Sequence, residues 1–120
     1  MRDYKKLQVW KKSHLLTLEL YKELNRFPKE ELFALTSQIK RASSSIPMNI
    51  AEGAGRFTNK DFARFLKMAY GSTNELEYQL ILSTDLLYLE SAKGEVLIEK
   101  TQEIRKMLYA LIIKLDNADS

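Results

Sequence analysis

Apolar residues recur in alternating steps of three and four along most of this chain, the period of helices packed side by side. From about Leu7 to Asn25 the main stripe is Leu7, Trp10, His14, Thr17, Tyr21 and Leu24. A second row, Val9, Leu16 and Leu20, lies outside it, with Leu15 and Leu18 beside it. One bundle seam does not use so much apolar surface, so a second buried contact is expected, either a broad core or a subunit interface.

The Phe27-Pro28 pair ends this helix, because the residue before a proline is pushed out of the helical region. Pro28 is then expected to open the second helix, with Glu30 and Glu31 near its positive end. That helix carries an apolar seam of Leu32, Leu35, Ile39, Ala42, Ile46 and Ile50. Beside it runs a polar row of Gln38, Arg41, Ser45, Asn49, Glu52 and Arg56. Pro47 interrupts the helix and deprives the Ser43 carbonyl of its partner, so a kink is expected there. Hydroxyls of Ser43, Ser44 and Ser45 or the amide of Asn49 are the expected replacement donors. Gly53 and Gly55 are expected to terminate the helix through left-handed backbone.

Thr58 and Asp61 have capping-box spacing and open a third helix with the seam Phe62, Leu66, Ala69, Thr73, Leu76, Leu80, Ser83 and Leu87. Gly71 inside it costs about 1 kcal/mol relative to alanine, which implies a packing reason. After a turn at 89–94, with Ser91 as a cap, a fourth helix from about Glu95 to Asp116 has the seam Leu97, Thr101, Ile104, Leu108, Leu111 and Leu115. Tyr109, Ile112 and Ile113 widen its apolar face, and the tail from Asn117 to Ser120 is expected to fray. Four such helices joined by short turns predict an all-α, antiparallel up-down-up-down four-helix bundle, one domain over residues 1–120.

Composition narrows the chemistry. With no cysteine and one histidine among 120 residues, disulfides, thiolate metal sites and thiol catalysis are excluded. No apolar run reaches membrane-span length and the start lacks a signal-peptide core, so a cytoplasmic protein without a membrane is expected. The net charge of +3 hides a gradient: residues 1–29 carry +5, 30–70 carry +2 and 71–120 carry −4. Such a gradient suits head-to-tail self-association or an anionic partner, or is two solvated faces.

The candidate chemistry is thin. His14 reads as a packed core histidine, or else as a ligand or catalytic group without a nucleophile in reach. Glu-x-x-His pairs, phosphate loops and an arginine four to six residues before the histidine are all missing, so no enzymatic activity and no cofactor or metal is expected. Lys5, Lys6, Lys11 and Lys12 form a basic cluster around Tyr4 and Trp10 that could touch phosphates, or a solvated helix start. On the polar row, Arg41 and Arg56 could meet an anion, or pair with Glu52, Glu75 or Glu77 in a buried or interfacial network.

Several words of the sequence resemble one family. They are Leu7-x-Val9-Trp10, Phe27-Pro28-x-Glu30-Glu31, Leu35-Thr36-Ser37-Gln38, Arg41-Ala42, Ser45-Ile46-Pro47, Asn49-Ile50-Ala51-Glu52-Gly53, Phe65-Leu66 and Gly71-Ser72 followed by Glu75-Leu76. The chain is similar to the four-helix bundle proteins encoded in intervening sequences of bacterial 23S ribosomal RNA. It departs at Phe33-Ala34, where an aromatic-glycine pair is usual, at Ser44, where a bulkier apolar residue is usual, and at Tyr70, where arginine is common. The resemblance implies a left-handed bundle assembling as a homopentamer with no established enzymatic activity. It extends to the accessory protein of diversity-generating retroelements, which implies RNA or DNA binding by analogy of fold. The expected function is therefore a non-enzymatic homo-oligomer contacting nucleic acid through a basic surface of Lys5, Lys6, Lys11, Lys12, Arg41 and Arg56. The alternative is an adaptor whose polar row and Pro47 kink form a groove for a protein partner.

Overall fold

The computed structural model describes residues 2–118, and among them are four α-helices and no strand. The helices are α1 (Gln8–Leu24), α2 (Leu35–Ala54), α3 (Asn59–Asp85) and α4 (Ser91–Ala118), with 3-10 turns at Tyr4–Lys6 and Lys29–Glu31. At about 1.5 Å per residue α4 spans about 42 Å, which accounts for the long axis of a 47 × 22 × 20 Å molecule. Each helix packs on the next, and α1 closes more thinly on α4.

The core is built from the repeating seams. Ile39, Ala42, Ile46 and Ile50 of α2 meet Phe62, Leu66, Ala69, Leu76 and Leu80 of α3 and Leu97, Ile104 and Leu108 of α4, all essentially dry. Hydroxyl residues within the seams satisfy themselves. Ser13 donates to the Trp10 carbonyl at 2.9 Å, Thr73 to Tyr70 at 2.6 Å, Ser83 to Gln79 at 2.7 Å and Thr101 to Leu97 at 2.8 Å. Each therefore occupies a core position without leaving a buried donor unpaired.

Tertiary packing changes several expectations. The face of α1 that enters the core is the second row, Val9, Leu16 and Leu20, joined by Ser13 and by Leu24 from the main stripe, while Leu7, Trp10, His14 and Thr17 are half-buried and Tyr21 is exposed. The reason is the N-terminal turn, which lays Tyr4 edge-on against Trp10 at 5.1 Å while Trp10 stacks on His14 at 5.0 Å. Phe27 and Pro28 do end α1, but Pro28 caps the 3-10 turn instead of opening α2. Ala34 leaves the helical region (φ −123°, ψ −106°), so α2 starts at Leu35 and Leu32 is exposed outside the seam. Glu31 still serves the helix start, its Oε1 accepting the Leu35 N–H at 3.3 Å and its Oε2 the Tyr88 hydroxyl at 2.9 Å.

No glycine among the described residues has positive φ. Gly53 is instead a point of close approach: a Cβ there would lie 2.8 Å from the side chains of Phe62 and Phe65. Gly55 caps α2 in ordinary right-handed conformation. Left-handed backbone falls on Leu87 (φ 66°), where the Tyr88 N–H reaches back to the Ser83 carbonyl at 2.9 Å and ends α3. Leu87 is thereby swung outward and leaves the seam. α4 begins at Ser91, earlier than expected, with Gly94 buried against Thr84. Gly71 is exposed with open space around it, so no packing partner within the chain explains it. Of the expected frayed tail, Asn117 and Ala118 are helical, and Asp119 and Ser120 lie outside the described residues.

Candidate nucleic-acid interface

Four residues, Gly55 to Thr58, connect α2 to α3, and the chain there has strong local reasons to turn. Arg56 N–H bonds the Gly53 carbonyl at 3.0 Å, and Thr58 Oγ1 accepts the Asp61 N–H at 3.0 Å as the cap of α3. Lys60, Arg64 and Lys67 then follow at helical spacing on the first turns of α3. They line a cleft of about 700 Å³ together with Gly55, Arg56, Phe57, Thr58 and Asp61.

The cations in this cleft are held in place. Arg56 and Arg64 have their guanidinium carbons 4.7 and 4.5 Å from the centre of the Phe65 ring. Asp61 lies between them, 2.9 Å from Arg64 Nε and 3.5 Å from Arg56 Nε. Glu52 adds a 3.4 Å contact to Arg56, and Asp116 a 3.4 Å contact to Lys67. Arg2 arrives from the N-terminal strap, donating to the Arg56 carbonyl and to Asn59 Oδ1 with its guanidinium over Phe62. Arg2, Arg56, Lys60, Arg64 and Lys67 thus outnumber Glu52, Asp61 and Asp116. A guanidinium has five N–H donors, so Asp61 leaves several on each arginine for an anion.

Of the basic residues expected at an interface, only Arg56 enters this cluster. Lys5, Lys6, Lys11 and Lys12 are exposed on the N-terminal turn and α1, with Lys5 5.7 Å from the Tyr4 ring and Lys12 paired to Glu103 at 2.5 Å. Arg41 is exposed on α2 thirteen residues before that helix ends at Ala54, about 20 Å from the corner that holds Arg56. Arg2, Phe57, Lys60, Arg64 and Lys67 were not singled out from sequence. The readable signal was the spacing of Lys60, Arg64 and Lys67, which puts three cations on one face of the start of a helix.

The polar row of α2 divides. Gln38 and Arg41 are exposed, while Glu52 and Arg56 pair at the other end. Ser45 and Asn49 do structural work in the middle. Ser45 Oγ lies 2.6 Å from Ser72 Oγ on α3, and Asn49 Nδ2 donates to the Ser45 carbonyl at 2.8 Å. Pro47 sits buried inside α2, which keeps helical conformation through it. The Ser43 carbonyl that it frees receives the hydroxyl of Thr17 from α1 at 3.1 Å, whereas Ser43, Ser44 and Ser45 donate to carbonyls further back. Glu77 pairs with Arg105 at 2.9 Å rather than with the row.

Shifted acid strengths belong to ties between helices, away from the cleft. The Glu19 carboxyl is held below its ordinary value by bonds from Lys100 and Lys93, and Glu77 by bonds from Arg105 and Gln102. Among the described residues no group of three acidic or imidazole side chains is gathered as for a metal ion, and no helix is long and apolar enough to cross a membrane.

The profile of a family described as 23S rRNA-intervening sequence protein matches residues 5–110. No curated protein matches the chain. A protein of unknown function from the S23 ribosomal protein family of Bacteroides thetaiotaomicron VPI-5482, solved by crystallography, is similar at a TM-score of 0.81 and 28% identity. The alignment covers 87% of this chain and 97% of that one. With the profile running from the N-terminal turn well into α4, the chain belongs to the 23S rRNA-intervening sequence protein family.

Proposed function

We propose that this chain is a non-enzymatic, homo-oligomeric helical bundle that binds RNA, with the α2–α3 corner as its contact surface. The observation that carries the reading is the set of positioned guanidiniums, Arg2, Arg56 and Arg64, with Lys60 and Lys67 beside them around an open cleft. Guanidiniums held in place and exposed lysines on one surface suit a polyanion, whose binding is driven by release of counterions. His14, the sole imidazole, stacks on Trp10 and does not line the basic cleft. Gel shift or anisotropy with RNA at rising salt tests this. Lys60→Glu with Arg64→Glu is expected to weaken binding and flatten its salt dependence, and no binding at low salt would reject the reading.

In this proposal the helices alternate in direction in a left-handed bundle, in the cytoplasm, and five copies assemble. Leu15 and Leu18 on α1 and Tyr109 and Ile113 on α4 support assembly, because they expose apolar surface that the chain does not cover. Light scattering across concentrations decides it, and a monomer throughout would sink it. A second reading, an adaptor for a protein partner, rests on Leu32 and Phe33, which project into solvent before α2. Phe33→Ala would then abolish partner capture while leaving RNA binding unchanged.

A further inference from the structure

We infer that Phe57 is a stacking platform for an unpaired base, so that the α2–α3 corner takes single-stranded RNA in preference to duplex. The inference rests on the RNA-binding reading and names the form of RNA it concerns. Phe57 is 94% exposed, like Phe33 before α2, whereas Phe27, Phe62 and Phe65 are buried; of the two exposed rings, Phe57 is the one that lines the basic cleft. The core at the end of α2 is filled by other rings. Phe62 and Phe65 pack so closely on Gly53 that even a Cβ there would lie 2.8 Å from both side chains.

The ring is also in the right company. It shares its cleft with Arg56, Lys60, Arg64 and Lys67, and the volume of about 700 Å³ is of the class that admits small organic ligands. Arg56 and Arg64 are oriented by the Phe65 ring and the Asp61 carboxylate before any ligand arrives, so little ordering is left to binding. An aromatic face flanked by cations that reach a phosphate backbone is how sequence-tolerant sites hold single strands. In a duplex the base faces are hidden in the stack, and only the cations would engage.

The test compares an unstructured 12-nucleotide RNA with a blunt hairpin duplex by fluorescence anisotropy, using the full chain. Wild type is expected to bind the single strand more tightly. Phe57→Ala is expected to weaken that binding about 10- to 100-fold, as for loss of a stacked base, with little effect on the hairpin and recovery in Phe57→Trp. Equal effects on both RNAs, or none, would overturn the inference. So would a changed oligomeric state in Phe57→Ala, which would make the ring an assembly contact. Binding that falls with Lys60→Glu but ignores Phe57→Ala defeats this inference alone, whereas absence of all RNA binding at low salt defeats the RNA reading itself.

Discussion

Thr17 on α1 places its hydroxyl 3.1 Å from the carbonyl oxygen of Ser43 on α2, the acceptor whose usual helical partner Pro47 cannot supply. A second helix thus repairs the defect. The same hydroxyl lies 2.8 Å from the Ser13 carbonyl, so its one proton is shared between the two acceptors.

This relationship is testable by a double-mutant cycle. Thr17→Val is expected to cost about 1–2 kcal/mol in denaturant unfolding, because the Ser43 carbonyl loses its donor. In a Pro47→Ala background the restored N–H serves that carbonyl, and the same substitution should cost under about 0.5 kcal/mol. Equal costs in both backgrounds would show that the proton belongs to Ser13.

Gly94 and Thr84 define where α4 crosses α3. A Cβ on Gly94 would lie 2.2 Å from Thr84 Oγ1 and 3.1 Å from Cγ2, so rotating the threonine gives no relief. Gly94→Ala is expected to destabilise by about 1–3 kcal/mol. Adding Thr84→Ala should recover most of it, and thermal melts of the three variants would show whether it does.

Gly71 should behave in the opposite way. It is exposed inside α3 with nothing near a prospective Cβ, so Gly71→Ala is expected to raise stability by about 0.5–1 kcal/mol. Light scattering on the same variant reads assembly. Dissociation would mean that another copy's backbone approaches α3 at this glycine.

Acid should loosen the bundle at its ion-paired seams. Glu19 accepts from Lys100 at 2.8 Å and Lys93 at 3.0 Å, joining α1 to α4, and Glu77 accepts from Arg105 at 2.9 Å, joining α3 to α4. Both carboxyls titrate below their ordinary value of 4.5, so their contribution is present above that pH and is lost as pH falls through the lowered values. Lys93 is shifted upward by Glu19, so its share is lost only as pH rises past 10.5. Glu19→Gln is expected to lower Tm at pH 7 but to reduce the further drop between pH 5 and about pH 3. A parallel drop in wild type and variant would contradict this assignment.

Most of the seams of α2, α3 and α4 was legible from the three-four period, apart from Leu32, Leu87 and the exchange of Leu111 for the buried Ile112, and Thr58 was legible as a cap because its bond is made three residues away. The period alone determined four helices and most of the core. It could not choose between two competing apolar rows on α1, since Val9, Leu16 and Leu20 differ from Leu7, Trp10 and Tyr21 only in what packs over them. Tertiary structure decided that, by folding Tyr4 onto Trp10, and it decided that Thr17 would serve Ser43. It also drew Arg2 to Arg56 across 54 positions. Helical periodicity is a local property of neighbouring turns, whereas the α1 face, the Pro47 repair and the basic corner depend on contacts between segments far apart in the chain.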